Sequence, residues 1–180
     1  FAAAHYRFDF VLAGHRFDFV MGSVHYLGGF CIDNHLAHWK ALGPADVNDV
    51  WREYFARIGG LARSGLFTFI AHLDLPKAFG FMPTEDISRE IGAALDDVAR
   101  AGVAVEVNTS GWHRVCAEAY PSLELLEACR ARGISALVNA DAHSSSDLTR
   151  GVDRGREWLR SAGYTHVVRF ADRRKQTVPI

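Results

Sequence analysis

The sequence has no excess of charge of either sign: 20 Lys and Arg stand against 21 Asp and Glu, for a formal net charge of −1. Without a basic stripe there is no electrostatic footprint for a nucleic-acid backbone or an anionic membrane surface, so neither is expected as a partner. An anionic substrate must be caught by a local site instead. No apolar stretch approaches the roughly 18 residues that a membrane-spanning helix needs. The N-terminal FAAAHYRFDFVLAG carries charges inside its apolar run, which makes it a poor signal peptide. Cysteine is scarce: Cys31, Cys116 and Cys129 are odd in number and lack metal or redox spacing. They read as packing residues of a protein in a reducing, cytoplasmic compartment rather than as a disulfide scaffold. An initiator methionine is also missing, which points to a processed, trimmed or partial sequence.

What is present suits one α/β domain over residues 1–180. About half the residues are apolar, enough for a sizeable core. Apolar runs rich in β-formers alternate with helix-period segments, as in βα units around a parallel sheet. The expected strands are FDFVMGSV (17–24), LFTFIAH (66–72), VAVEVN (103–108) and ISALVNA (134–140). A helix is expected after Pro44, with Val47, Val50, Trp51, Tyr54, Phe55 and Ile58 at helical spacing. A second follows Thr84, read as its N-cap, and ends before Gly102; a third is bounded by Ser122 and Gly133; a last covers roughly 146–162. The tail THVVRFADRRKQTVPI alternates apolar and polar residues, as a final strand pair would. This pattern suits a TIM-like barrel or a doubly wound sheet and does not separate the two. RFDFV at 7–11 returns at 16–20. A nine-residue doublet is too short for a repeat architecture, and the second copy, which runs on into GSVH, is taken as the strand.

Three polar clusters fall just past the C-terminal ends of predicted strands: GSVHY (22–26), AHLDLPKAFG (71–80) and NADAHSSSDL (139–148). Ligands and catalytic groups of parallel barrels gather at that end, so His25, His72, Asp141 and His143 are expected to converge. Imidazole and carboxylate donors without cysteine suit Zn, Mn or Fe used for hydrolysis. On a strand exit, period-two geometry would send Asp141 and His143 to one face. Downstream of VAVEVN, Asn108, Ser110 and Arg114 are candidates for binding a phosphoryl group, and Lys77 is another. Glu106 shares a strand face with Asn108 and is read either as lining the interior or as a structural hydrogen-bond partner. Ser144, Ser145 and Ser146 are expected to open the last helix, capped by Asp147. His35, His38 and His166 are read as loop, surface or structural residues.

In this order and spacing GSVHY, AHLDLPKAFG, VEVNTSG followed by YPS, and NADAHSSSDL resemble the PHP family (polymerase and histidinol phosphatase), and most of all its monofunctional histidinol-phosphate phosphatases. The similarity runs from about Phe17 to Ile180. It implies a distorted (β/α)7 TIM-like barrel with up to three divalent metal ions at its C-terminal rim, cleaving histidinol phosphate to histidinol and phosphate in histidine biosynthesis. Carried onto this sequence, His25 and His72 match the histidines of one metal position, Asp141 the carboxylate of a second and His143 the imidazole of the third. Asp141 and His143 also take the catalytic roles.

The family's N-terminal His-x-His motif, a further early histidine and its bridging glutamate have no counterpart before GSVH; His5 and His15 lack the spacing. An incomplete barrel is therefore expected, with fewer and weaker metal positions and a possible homodimer covering its open edge. The alternatives are a PHP-type nuclease and a truncated, non-catalytic barrel.

Overall fold

The computed structural model describes residues 17–172 and 174–180. His5, His15 and the first RFDFV copy lie outside that range. Four parallel strands form the central sheet: β1 (Met21–Gly22), β4 (Phe69–Ile70), β5 (Ala104–Asn108) and β6 (Ala136–Asn139), adjacent in that order. Met21 pairs with Phe69, Phe69 with Ala104, and Val105 with Ala136. Spatial order follows chain order. Each step between neighbours is thus a crossover, and the helices expected between the strands are found there.

Helix α2 (Pro44–Arg63) begins on Pro44, whose missing N–H costs nothing in the first turn, and Asp46 accepts a hydrogen bond from the Gly43 amide at 3.0 Å. It buries Val47, Trp51, Tyr54, Phe55, Ile58 and Ala62 on one face. These pack against α3 (Ser88–Ala101), which contributes Ala94, Leu95 and Val98 to the same core. In α4 (Leu123–Ala131) the Ser122 side chain caps the Leu125 amide, as its position predicts. Every residue of β5 is buried, the polar Glu106 and Asn108 included. The tail forms the antiparallel pair β7 (His166–Ala171) and β8 (Arg174–Pro179), with Val168 packed on Phe69 and Ala104.

Several local expectations are corrected. Strands β1 and β4 are two residues long where eight and seven were expected. Thr84 does not cap α3: its amide and hydroxyl are tied to Asn48 of α2, and the helix starts four residues later, where Asp86 accepts from the Ser88 amide at 2.8 Å. The last helix, α5, covers Val152–Ser161. Ser145–Asp147 form only a short 3-10 turn, and Gly151, at φ 69°, separates that turn from α5 with a left-handed residue that no helix can run through. Asp147 pairs with Arg150 at 2.9 Å and does not cap α5.

A hairpin and a short helix escaped the sequence reading. Tyr26–Leu27 (β2) and Phe30–Cys31 (β3) form a hairpin turned by Gly28 and Gly29, with Gly28 at φ 58°. A short helix, α1 (Leu36–Lys40), buries Trp39, whose indole donates to the Ile32 carbonyl at 2.7 Å, and leaves His38 exposed with His35.

Candidate active site

The sheet's C-terminal end opens into a cavity of about 140 Å³. His25, His72, Asp141 and His143 all line it, so four donors from three separate strand exits meet as the sequence predicts. Asp33, Glu106, Asn108, Ser110, Arg114 and Tyr120 complete most of the wall. A larger cleft, of about 500 Å³, lies between α2, α3 and α4 and is lined by none of the four donors.

His72 follows β4 by two residues and takes a backbone φ of 24°, sparsely populated for a residue with a Cβ. Hydrogen bonds on both sides hold it there: its amide donates to Glu106 Oε2 at 2.9 Å, and its carbonyl accepts from the Tyr54 hydroxyl at 2.7 Å. Burial, with the neighbouring His25 charge second, lowers its pKa to about 4. The ring is therefore neutral, and its buried Nδ1 has no hydrogen-bond partner among the described residues. A neutral imidazole is the form that a cation requires.

His25 stands between β1 and β2 with its ring edge-on to His72, centroids 4.8 Å apart. Its Nδ1 lies 3.0 Å from Asp33 Oδ2, and this hydrogen bond to a carboxylate raises its pKa against the opposing effect of burial. Asp33 moves the opposite way, below the usual carboxylate value, because of the same bond.

Asp141 and His143 reach the cavity by a route the sequence reading did not foresee. Strand β6 ends at Asn139, and Asp141 sits in the left-handed region at φ 50°, so a loop turn and not the strand pleat directs the pair. Asp is among the residues that tolerate this conformation. The Ser110 hydroxyl lies 3.3 Å from Asp141 Oδ2. The Nδ1 of His143 lies 2.9 Å from the Asp141 carbonyl; a carbonyl only accepts, so Nδ1 is the N–H and Nε2 keeps its lone pair.

Glu106 is buried at the cavity floor and receives three hydrogen bonds, from the His72 amide, Asn108 Nδ2 (3.0 Å) and Asn139 Nδ2 (2.7 Å). Burial nevertheless raises its pKa. The other Asn108 amide atom, Oδ1, accepts from the Ser110 amide and hydroxyl at 2.9 and 2.7 Å. Asn108 and Ser110 line the site but first of all organise its carboxylates. The loop carrying Ser110 approaches a neighbouring segment so closely that a Cβ on Gly111 would lie 2.2 Å from the Glu118 carbonyl oxygen. Arg114 is exposed at the cavity wall, and its guanidinium forms no ion pair with a described residue.

Lys77 is the misplaced candidate. Its ammonium is buried at 2.8 Å from both Asp74 and Glu118 and 2.7 Å from the Ala119 carbonyl, outside the cavity. It has no donor left for a phosphoryl group. Asp33 and Asn139 are the participants the sequence did not disclose. The only signal for Asp33 was the Gly28–Gly29 turn that folds it back beside His25.

Among the described residues, no three His, Cys, Asp or Glu side chains stand close enough to hold one ion. The donors occur as two loose groups, the imidazoles of His25 and His72 and the pair on the 141–143 loop. Charge couples the two groups: the Asp141 carboxylate acts to raise the pKa of both His25 and His72. None of the described helices is long and apolar enough to cross a membrane.

No family model matches the chain. Over 131 residues, 72% of its length, it is 40% identical to a Deinococcus radiodurans protein named "Probable histidinol-phosphatase". That match spans about half of the relative, 48% of its length. Two crystal structures share the fold. A Listeria monocytogenes protein named "putative histidinol phosphatase" superposes with a TM-score of 0.64 at 20% identity, over 74% of this chain and 56% of the other. The histidinol phosphate phosphatase of Lactococcus lactis subsp. lactis, solved with zinc, L-histidinol and phosphate, gives 0.71 at 17% identity, over 93% of this chain and 65% of the other. By sequence and by fold, the chain is histidinol-phosphatase-like.

Proposed function

We propose that this chain carries the metal-dependent phosphomonoesterase site of a protein that hydrolyses L-histidinol phosphate to L-histidinol and phosphate. The observation that carries the reading is the convergence of His25, His72, Asp141 and His143 on one cavity from three strand exits. The name of the Deinococcus radiodurans relative and the zinc, L-histidinol and phosphate in the Lactococcus lactis structure support it.

The residues fit a cation of the Zn, Mn or Fe class. They offer imidazole and carboxylate donors without thiolate, and His72 has a ring nitrogen with no hydrogen-bond partner among the described residues. When bound, such an ion supplies Lewis acidity and a water of lowered pKa. His25 and His72 would lend their imidazoles to one such ion, and Asp141 and His143 would each offer a donor to a further one. Arg114, at the wall, would take the phosphoryl oxygens in charge-assisted hydrogen bonds. Asn108 and Ser110 fix the walls around the phosphate, and Asp141 and His143 handle the proton. Overall the ester P–O bond to the histidinol oxygen breaks, a P–O bond to water oxygen forms, and the proton lost by water ends on the departing alcohol.

The parallel sheet, with strand order following chain order, is read as part of a (β/α)7-type barrel in a single domain, supported by one core cluster running from Val24 to Tyr164. Exposed Phe17, Phe19 and Met21 along the β1 edge support a homodimer across it.

The test is phosphate release from L-histidinol phosphate by the purified chain with added Mn²⁺ or Zn²⁺. Release is expected to be abolished in His25→Ala and Asp141→Asn. Unchanged activity in either variant, or no release from the unaltered chain, overturns the proposal.

A further inference from the structure

The bond between His25 and Asp33 is built with more support than an exposed ion pair needs. The hairpin β2–β3 returns the chain on itself, and the Ile32 amide donates to the His25 carbonyl at 2.9 Å, which brings Asp33 back beside a residue eight positions earlier. The fully buried Trp39 fastens the preceding residue by donating to the Ile32 carbonyl at 2.7 Å. The second carboxylate oxygen of Asp33 lies 3.7 Å from Cys31 Sγ. Asp33 is thereby held on a short, braced segment and aims one oxygen at one ring nitrogen.

That contact adds little to stability. The two side chains are 41% and 26% exposed, and solvent screens most of the attraction of ion pairs so placed. Its consequence is directional. An imidazole can present either nitrogen to a neighbour by turning over about its side-chain bond. An ionised carboxylate only accepts, so Asp33 makes Nδ1 the N–H and leaves Nε2 as the nitrogen with an available lone pair. The His143 ring is set the same way by the Asp141 carbonyl. Carboxylates in this relation to an imidazole fix the tautomer and orientation of metal-ligating histidines.

We propose that Asp33 is the positioning residue of this site: it locks His25 in the Nδ1–H tautomer and turns Nε2 to the cation. The ring-orientation half of this inference stands on the geometry alone, and the cation half rests on the function proposed above.

Two measurements test it. Long-range ¹H–¹⁵N spectra of the metal-free chain, at a pH where the ring is neutral, report the tautomer of His25. The Nδ1–H form is expected in the unaltered chain and in Asp33→Asn, whose carbonyl still accepts, and a mixed population is expected in Asp33→Ala. Calorimetric titration with Zn²⁺ should show about 10- to 100-fold weaker binding in Asp33→Ala, largely recovered in Asp33→Asn. A role confined to holding the hairpin would leave the tautomer unmoved. If Asp33→Ala folds poorly, Asp33→Ser, one bond too short to reach Nδ1, takes its place. An Nε2–H ring in the unaltered chain, or an Asp33→Ala ring and affinity matching those of the unaltered chain, overturns the proposal. The expected tautomers with no Zn²⁺ binding by the unaltered chain would uphold the ring-setting role and sink the metal reading instead.

Discussion

Lys77 Nζ lies 2.8 Å from Asp74 Oδ2, and both side chains are sealed from solvent, at 3% and 4% exposure. Asp74 also accepts from the Ser122 amide at 2.9 Å, and Lys77 reaches Glu118 and the Ala119 carbonyl, so the pair ties the segment after β4 to the start of α4. Removing the cation would leave a buried carboxylate without its partner. Such a loss costs about 3–5 kcal/mol, whereas an apolar replacement of both partners can be close to neutral. Lys77→Met is therefore expected to lower the urea midpoint sharply, and Lys77→Met with Asp74→Leu to recover much of the loss. A residue that met the substrate would behave otherwise: KM would rise with stability unchanged.

Glu106 makes a comparable prediction at the cavity floor. Its two oxygens accept from three N–H donors, of which the His72 amide belongs to the strained backbone at φ 24°. Glu106→Ala strands these donors, each worth about 1–3 kcal/mol when buried without a partner, and releases the constraint on His72. A stability loss of about 3 kcal/mol or more is expected in chemical denaturation. Glu106→Gln keeps one oxygen for the two donors at Oε2 and asks only that Asn139 turn its amide over, so it should cost about 1 kcal/mol.

The contrast between Lys77 and His72 shows what the sequence could disclose. His25, His72, Asp141 and His143 were legible because each lies just past a strand, and the end of a parallel strand has one place to deliver a side chain. Lys77 lies in an equally promising cluster, but its fate is set by Glu118, 41 residues away, and local patterning cannot report such a partner. Asp33 was hidden in the same way behind an unrecognised glycine turn. The helix faces were legible because Val47, Trp51, Tyr54 and Phe55 keep helical spacing. The start of α3 was not, because Asn48 captures Thr84 across space. Asp141 shows a third case: its convergence was foreseen and its geometry was not, since the left-handed turn that aims it leaves no periodic signature.

The titration of His72 gives stability of the metal-free chain a specific pH dependence. Its folded pKa of about 4 lies below the ordinary 6.5, chiefly because burial disfavours the charged ring. The unfolded chain therefore binds the extra proton first. The contribution is complete above pH 6.5 and is lost as pH falls from 6.5 towards 4, by roughly 3 kcal/mol in total. His25, raised by Asp33, works in the opposite sense, present at low pH and lost as pH rises through its folded pKa, but its partial exposure keeps the effect small. Urea midpoints measured in chelator should fall across the acid window. His72→Asn, which does not titrate there and tolerates a positive φ, should flatten that arm.

Arg150 determines how firmly the loop bearing Asp141 and His143 is held. Its Nη2 donates to the Ala140 carbonyl at 3.1 Å, its Nη1 lies 2.9 Å from Asp147 Oδ1, and its own carbonyl accepts from Thr109 Oγ1 at 2.6 Å. The side chain thus spans the loop from end to end, and its buried Nε has no partner among the described residues, a cost that argues for a requirement of geometry over one of stability. Arg150→Ala removes the fastening at Ala140, one residue from the strained turn at Asp141. A donor pair that must be ordered at the moment of binding holds a cation less well than one already in place. Zn²⁺ affinity is therefore expected to fall by about tenfold or more while the melting temperature changes little. Arg150→Lys should recover only part of the affinity, because a single ammonium cannot match a planar fork that serves two acceptors. Affinity unchanged in Arg150→Ala would mean that the Ser110 contact to Asp141 is enough to fix the loop.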